Sequence, residues 1–216
     1  MSKVRVHMMI SLDGYTAGPN QSRDKPFGER TENFLDWIFE LKSLREVLGM
    51  DGGTGGPSDD VIRETFANLG AEIMGRNMFG GGPGPWRTDE PWNGWWGPNP
   101  PFHTPVFVLT QYPREPLEME GGTVFYFVTD GIESAMRQAR EAAGGRDIRI
   151  GGGANTVNQY LAAGLVDEIE LHIVPVVFGA GERLFANLDS SRLRFELVRT
   201  VAGPKVTHVK YRVKPH

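Results

Sequence analysis

The chain has 216 residues, a formal net charge of -4 and no cysteine, with 39% hydrophobic and 23% charged residues. Length and composition suit one globular domain over residues 1–216. The missing cysteines exclude disulfides, thiolate metal sites and cysteine nucleophiles. A mildly acidic balance without a run of Lys or Arg argues against nucleic acid as partner. No segment reaches the ~20 apolar residues of a membrane span, and no signal-peptide cleavage pattern follows the short apolar start. The expected location is the cytoplasm.

Taken in order, residues 4–12 predict a central strand, apolar on both sides at Val6, Met8, Met9 and Ile10 and broken by Asp13-Gly14. Residues 32–48 predict one helix, with Phe34, Leu35, Ile38, Leu41, Leu44 and Leu48 in a stripe, Thr31 as cap and Gly49 as stop. A second helix is expected over 59–69, capped by Ser58 and stopped by Gly70. Residues 49–57 and 79–105, crowded with Gly and Pro, read as long loops. Strands follow at 71–74, 104–110 and 123–128, then a helix at 132–143, a strand at 147–150 and a helix at 156–163. A long strand at 167–177 places Pro175 at a bulge or edge. Residues 195–201 and 206–213 form a closing antiparallel pair. Alternation of strands and helices predicts an α/β fold: three layers, a mostly parallel central sheet and an antiparallel C-terminal edge.

The sharpest local signal is DIRIGGGANTVNQYL at 147–161, where a strand ends in three glycines and a helix begins at once. Glycines admit a ligand close to the backbone, and a helix N-terminus presents free N–H groups to an anion. The third glycine of the Rossmann spacing is absent, with Thr156 in its place, and no Walker Gly-Lys follows. A phosphate cradle competes here with a plain tight turn. Gly75-Arg76 in AEIMGRNMF and Thr110-Gln111 in VFVLTQYPRE stand at other strand ends, where open α/β sheets bind ligands. Arg76 can pair with a phosphate or be a surface arginine. Asp13 can donate a proton, orient a substrate or fix its turn. Trp86, Trp92, Trp95 and Trp96 can wall a flat heterocycle or bury a dimer contact, and Trp96 is the candidate for substrate. HExxH, GxSxG and EF-hand patterns are absent, and the five histidines lack ligand spacing, so no metal is expected.

ISLDGYTAG, IMGRNMF, VFVLT and the stretch IGGGANTVNQYLAAGLVDEIELHIVPVVFGAGERLF together resemble the dihydrofolate-reductase-like superfamily. The most similar branch is the C-terminal reductase domain of bacterial riboflavin biosynthesis. The resemblance runs over nearly the whole chain and is most specific at 150–185. It implies NADPH bound across the C-terminal edge of the sheet. Gly75, Arg76, Asn77 and Met78 would meet its phosphates, and Thr110 and Gln111 its adenosine ribose. Gly152, Gly153, Ala154, Asn155 and Thr156 would hold the pyrophosphate, while Met9, Ile10 and Ala17 would border the nicotinamide. Arg76 or Arg114 would select the 2′-phosphate. Asp13, Glu32 and Asp36 are the candidate acids. The chain departs from the riboflavin-pathway domain at Gly151, where that branch has a glutamate contacting substrate, and it lacks the partner deaminase domain. The implied activity is hydride transfer to a small heterocycle, a pterin, pyrimidine or related C=N or C=O compound, by a homodimer. A flavin-binding or non-catalytic small-molecule binder on the same fold is the alternative.

Overall fold

A computed structural model describes residues 2–215 apart from 187, 190 and 192. His216, one of the five histidines considered for metal, lies outside them. The strands are β1 (Val4–Ser11), β2 (Tyr15–Ala17), β3 (Leu69–Gly75), β4 (Pro105–Leu109), β5 (Leu117–Glu118), β6 (Val124–Val128), β7 (Asp147–Gly152), β8 (Glu168–Val174), β9 (Glu182–Arg183), β10 (Leu193–Ala202) and β11 (Thr207–Pro215). The helices are α1 (Asp36–Phe39), α2 (Lys42–Val47), α3 (Pro57–Phe66), α4 (Arg76–Phe79), α5 (Ile132–Ala143) and α6 (Ala154–Ala162). Nine strands form the main sheet in the order β10-β11-β8-β1-β7-β3-β4-β6-β5, and β2 pairs with β9 apart from it. From β8 to β6 every neighbour is parallel, and β11, β10 and β5 are antiparallel.

The two sheet faces differ in chemistry. Val4, Val6, Met8 and Ile10 of β1 face α5 and α6, where Ala135, Met136, Ala139, Val157, Tyr160 and Leu161 complete an apolar core. Small residues at helical spacing let α5 lie close to the sheet, and Gly144 in the left-handed region ends it. The alternate residues of β1, Arg5 and His7, are also covered but polar. Arg5 donates to the carbonyls of Glu64 (3.1 Å) and Ala67 (2.8 Å), satisfying the C-terminal end of α3. Glu170 meets Arg199 at 2.9 Å, also beneath the α3 side. This face is shielded by α1–α3 on the β8 side and by residues 80–104 over β4 and β6.

The expected single helix over 32–48 is two short helices. Leu41 is extended (ψ 138°), and the backbone around it bonds Thr54, with Lys42 N–H donating to Thr54 O (3.1 Å) and Thr54 N–H to Glu40 O (2.7 Å). That long-range pairing interrupts the helix while Phe34, Trp37, Leu41 and Leu44 stay buried. Ser58 does not cap its helix. Gly56 holds the N-cap place, Pro57 opens the first turn, and the Ser58 hydroxyl lies 2.9 Å from His208 Nε2 instead. β8 stops at Val174, one residue before Pro175, whose missing N–H cannot extend the ladder.

Candidate functional site at the strand ends

The order β1-β7-β3-β4 brings four parallel C-terminal ends side by side, and with them most of the candidate binding residues. Met9 and Ile10 are near the end of β1, Gly152 closes β7 with Gly153 to Thr156 after it, Gly75 closes β3 with Arg76 to Met78 after it, and Thr110 and Gln111 follow β4. Ala17, buried, lies on β2 beside β9.

The β7–α6 junction has the features of an anion cradle. α6 begins at Ala154, two residues earlier than the pattern predicts, and no side chain caps it, leaving its first N–H groups without an intrahelical partner. A Cβ added at Gly153 would meet nothing within 4 Å, and its φ of -71° suits any residue. The glycine therefore leaves room above the helix end. Gly152 differs, having φ +125° and backing onto Met8 Sδ, 3.2 Å from where its Cβ would stand. Gly75 serves packing: a Cβ there would run into Thr156 Oγ1, so its absence lets the end of β3 close onto α6. These features fit a nucleotide's phosphates.

Beyond β3, Arg76 donates to the carbonyls of Gly80 and Gly82, each at 3.0 Å, and its guanidinium carbon stands 3.2 Å from the centre of the Trp86 ring. Its Nη1 is buried without a partner. Arg114 stands 5.2 Å from the same ring and donates to Asn93 Oδ1 at 3.0 Å. Among the described residues no carboxylate pairs with either arginine. Burial, and then the charge of Arg114, lower the Arg76 pKa. A cavity of about 320 Å³ lined by Trp86, Arg87, Trp92 and Arg114 adjoins the pair.

The candidate acids are not brought to the cradle as proton donors. Asp13 accepts from the Ser11 hydroxyl (2.6 Å) and from the N–H groups of Phe178 (3.1 Å) and Gly179 (2.8 Å). Desolvation raises its pKa, but these bonds outweigh it and leave the carboxyl below its ordinary value. An ionised carboxylate clamping a turn is a poor donor, so of the three sequence readings the structure favours the turn. Glu32 and Asp36 are exposed, flanking buried Phe34 and Trp37.

The tryptophan segment is a cover over the core. Trp96, half-buried, sits against Phe102 (4.8 Å between centres) and Phe125 (6.1 Å). Apolar β4 and β6 surface needs burying here, and these rings bury it. The indole N–H groups of Trp86, Trp92 and Trp95 donate to the carbonyls of Tyr112 (2.9 Å), Phe79 (2.7 Å) and Met78 (3.0 Å), tying the segment to the strand ends.

One pair escaped the sequence reading. Glu72 in β3 is fully buried and accepts from Arg149 of β7 through Oε2, 2.6 Å from Nε. Burial pushes its carboxyl up, and Arg149 pulls the other way. A charged residue inside LGAEIMG was the available signal. Among the described residues no group of three or more His, Asp or Glu is placed to hold a metal. Among the described residues no helix is long and apolar enough to cross a membrane.

Comparison with known proteins agrees with this architecture. A putative riboflavin biosynthesis protein from Shewanella sp. PV-4 superimposes with a TM-score of 0.58 at 22% identity, covering 98% of this chain and 99% of that one. Acinetobacter baumannii RibD gives 0.60 at 18% identity, covering 99% of this chain and 58% of that one. Dihydrofolate reductase from Enterococcus faecalis, complexed with NADP(H), gives 0.51 at 15% identity over 99% and 96% of the two chains. Among curated proteins, Bacillus subtilis YyaP is 35% identical over 74 residues, 34% of this chain and 38% of its own length. These likenesses show the dihydrofolate-reductase-like fold. The model of the RibD C-terminal domain matches residues 2–209, and the chain belongs to that family.

Proposed function

We propose that this protein is an NADPH-dependent reductase that delivers a hydride to a C=N or C=O bond of a small heterocycle. The observation that carries the reading is the open Gly153 edge at the uncapped N-terminus of α6, flanked by the ends of β1, β3 and β4. When bound, NADPH supplies the hydride. The chain's own part is binding and orientation. The free N–H groups of Ala154, Asn155 and Thr156 take the pyrophosphate, with Gly152 and Gly153 giving it access. Gly75, Arg76, Asn77 and Met78 border the phosphates at the end of β3, and Thr110 and Gln111 the adenosine ribose. Arg76 and Arg114, which no carboxylate neutralises among the described residues, favour the 2′-phosphate and so NADPH over NADH. Met9, Ile10 and Ala17 border the nicotinamide. We place the protein in the cytoplasm as a homodimer whose contact includes exposed Phe195, Leu197 and Val198 on β10.

The test is a titration of the purified protein with NADPH and NADH, followed by quenching of tryptophan emission, since Trp86 adjoins Arg76. Saturable binding with NADPH at least tenfold tighter is expected. Absence of binding at millimolar NADPH overturns the reading, and a yellow preparation with a flavin spectrum replaces it.

A further inference from the structure

Two arginines that repel each other share one aromatic ring. Arg76 follows β3 and Arg114 lies beyond β4, and their guanidinium carbons stand 3.2 Å and 5.2 Å from the centre of the Trp86 ring. The two acids of the segment over 80–104 serve other arginines. Arg87 pairs with Asp89 at 2.7 Å and Glu90 at 3.5 Å, and Arg23 reaches Glu90 at 2.6 Å. Among the described residues no carboxylate pairs with Arg76 or Arg114, so both charges stand unneutralised. Like charges brought together raise each other's energy unless something holds them or an anion joins them. Trp86 is what holds them, since the face of an aromatic ring is its negative side. The ring is itself fixed. Its N–H donates to the Tyr112 carbonyl at 2.9 Å, and it packs against Phe79 and Phe127, 5.7 Å and 5.0 Å between centres. Through Tyr112 it ties Arg76, at the end of β3, to the turn after β4 that carries Thr110, Gln111 and Arg114. Each guanidinium spends N–H groups on the protein: Arg76 on the carbonyls of Gly80 and Gly82, Arg114 on the Trp92 carbonyl and Asn93. Both planes are therefore set before a ligand arrives, with N–H groups to spare. Trp86 and Arg114 line the cavity of about 320 Å³, so the pair can be reached from that side.

We propose that Trp86 sets the cofactor preference: it is the positioning residue that holds Arg76 and Arg114 together as one clamp for a phosphate monoester on the adenosine ribose. The assignment rests on the reductase reading above and names the residue on which its choice of NADPH depends. A phosphate monoester carries about two negative charges near neutral pH, where NADH offers an uncharged hydroxyl. Two cations without counter-ions gain from the first and find nothing to neutralise in the second. The ring does not touch the phosphate. It acts through the two guanidinium groups, which would otherwise separate into solvent and meet the ligand one at a time.

The experiment measures binding by calorimetric titration on the wild type, Trp86→Leu and Trp86→Phe. The ligands are NADPH against NADH, and adenosine 2′,5′-bisphosphate against adenosine 5′-phosphate, a pair that differs only in the 2′-phosphate. The wild type is expected to prefer the 2′-phosphorylated member of each pair tenfold or more. Trp86→Leu keeps an apolar side chain but has no π face, and it should cut both ratios to less than twofold. Its NADH affinity should stay within twofold of wild type, a pattern that general misfolding would not give. Trp86→Phe restores a π face and should hold both ratios at fivefold or more. Should Trp86→Leu not fold, Trp86→Met, equally without a π face, decides. No preference in the wild type, a preference that survives Trp86→Leu, or a Trp86→Phe variant no better than Trp86→Leu overturns the proposal. A preference for NADPH that ignores Trp86 would leave the reductase reading standing without this one. A preference for the bisphosphate that depends on Trp86, in a protein that binds neither dinucleotide, would refute the reductase reading and leave the clamp.

Discussion

The Nδ1 atoms of His172 on β8 and His208 on β11 lie 2.8 Å apart, buried under the Trp37 ring. One must donate and the other accept, so the pair has room for one proton between them and titrates as a unit. Burial, then the charges of His208 and Arg199, push His172 down to about 3, and burial, then Arg199, push His208 down to about 4. The folded state therefore holds both rings neutral, whereas the unfolded chain takes up protons near pH 6.5. Stability from this pair is complete above that pH and is lost as pH falls towards 4, at up to about 1.4 kcal/mol per pH unit for each histidine. Thermal melts followed by circular dichroism from neutral pH downwards should show Tm falling steadily below about pH 6.5. A flat profile would show that the rings are not buried in neutral form.

Gly153 and Gly75 should respond in opposite ways to an added side chain. Gly153→Val finds open space, so Tm should move little while NADPH affinity falls a hundredfold or more. Gly75→Ala forces a methyl group against Thr156 and should cost about 1–3 kcal/mol of stability. Calorimetric titration and urea melts on both variants check the contrast, and equal effects on folding would remove Gly153 from the cradle.

Arg149→Met leaves Glu72 buried without its partner and should destabilise the protein by about 3–5 kcal/mol. The double variant with Glu72→Met should recover most of that loss, because two apolar chains carry no buried charge. Urea unfolding of the two single variants and the double variant measures the coupling. Additive losses would mean that the pair does not interact as described.

Trp96→Ala should act on folding and not on substrate handling. Its ring contacts Phe102 and Phe125 and is half-buried, so truncation should cost about 2–4 kcal/mol. NADPH affinity and substrate KM should stay within twofold of wild type. A raised KM with unchanged Tm would place Trp96 at the substrate site instead.

The strand and helix order was legible because its signals are local. Small apolar residues at helical spacing mark 132–143, and the glycines mark the end of β7, which runs two residues beyond the expected 147–150. What escaped depended on contacts between distant residues. Thr54 divides the helix expected over 32–48, and nothing near Leu41 announces it. The tryptophan segment is rich in turn residues, which marks a loop but does not say which surface it covers. Ser58 has the composition of a cap, yet His208, 150 positions away, engages its hydroxyl. The cradle glycines were visible as a motif, whereas the Glu72 pair was not, because its partner Arg149 lies on the neighbouring strand, 77 positions away.

The two borders of the main sheet are unequal. β5 is two residues long, whereas β10 runs for ten residues with Phe195, Leu197 and Val198 exposed. A chain that meets its own copy through β10 uses up its long border in that single contact, and the short one offers little for another chain to extend. Growth through the sheet is thereby self-terminating: a closed pair is available, and an open-ended fibre has no second long strand on which to continue.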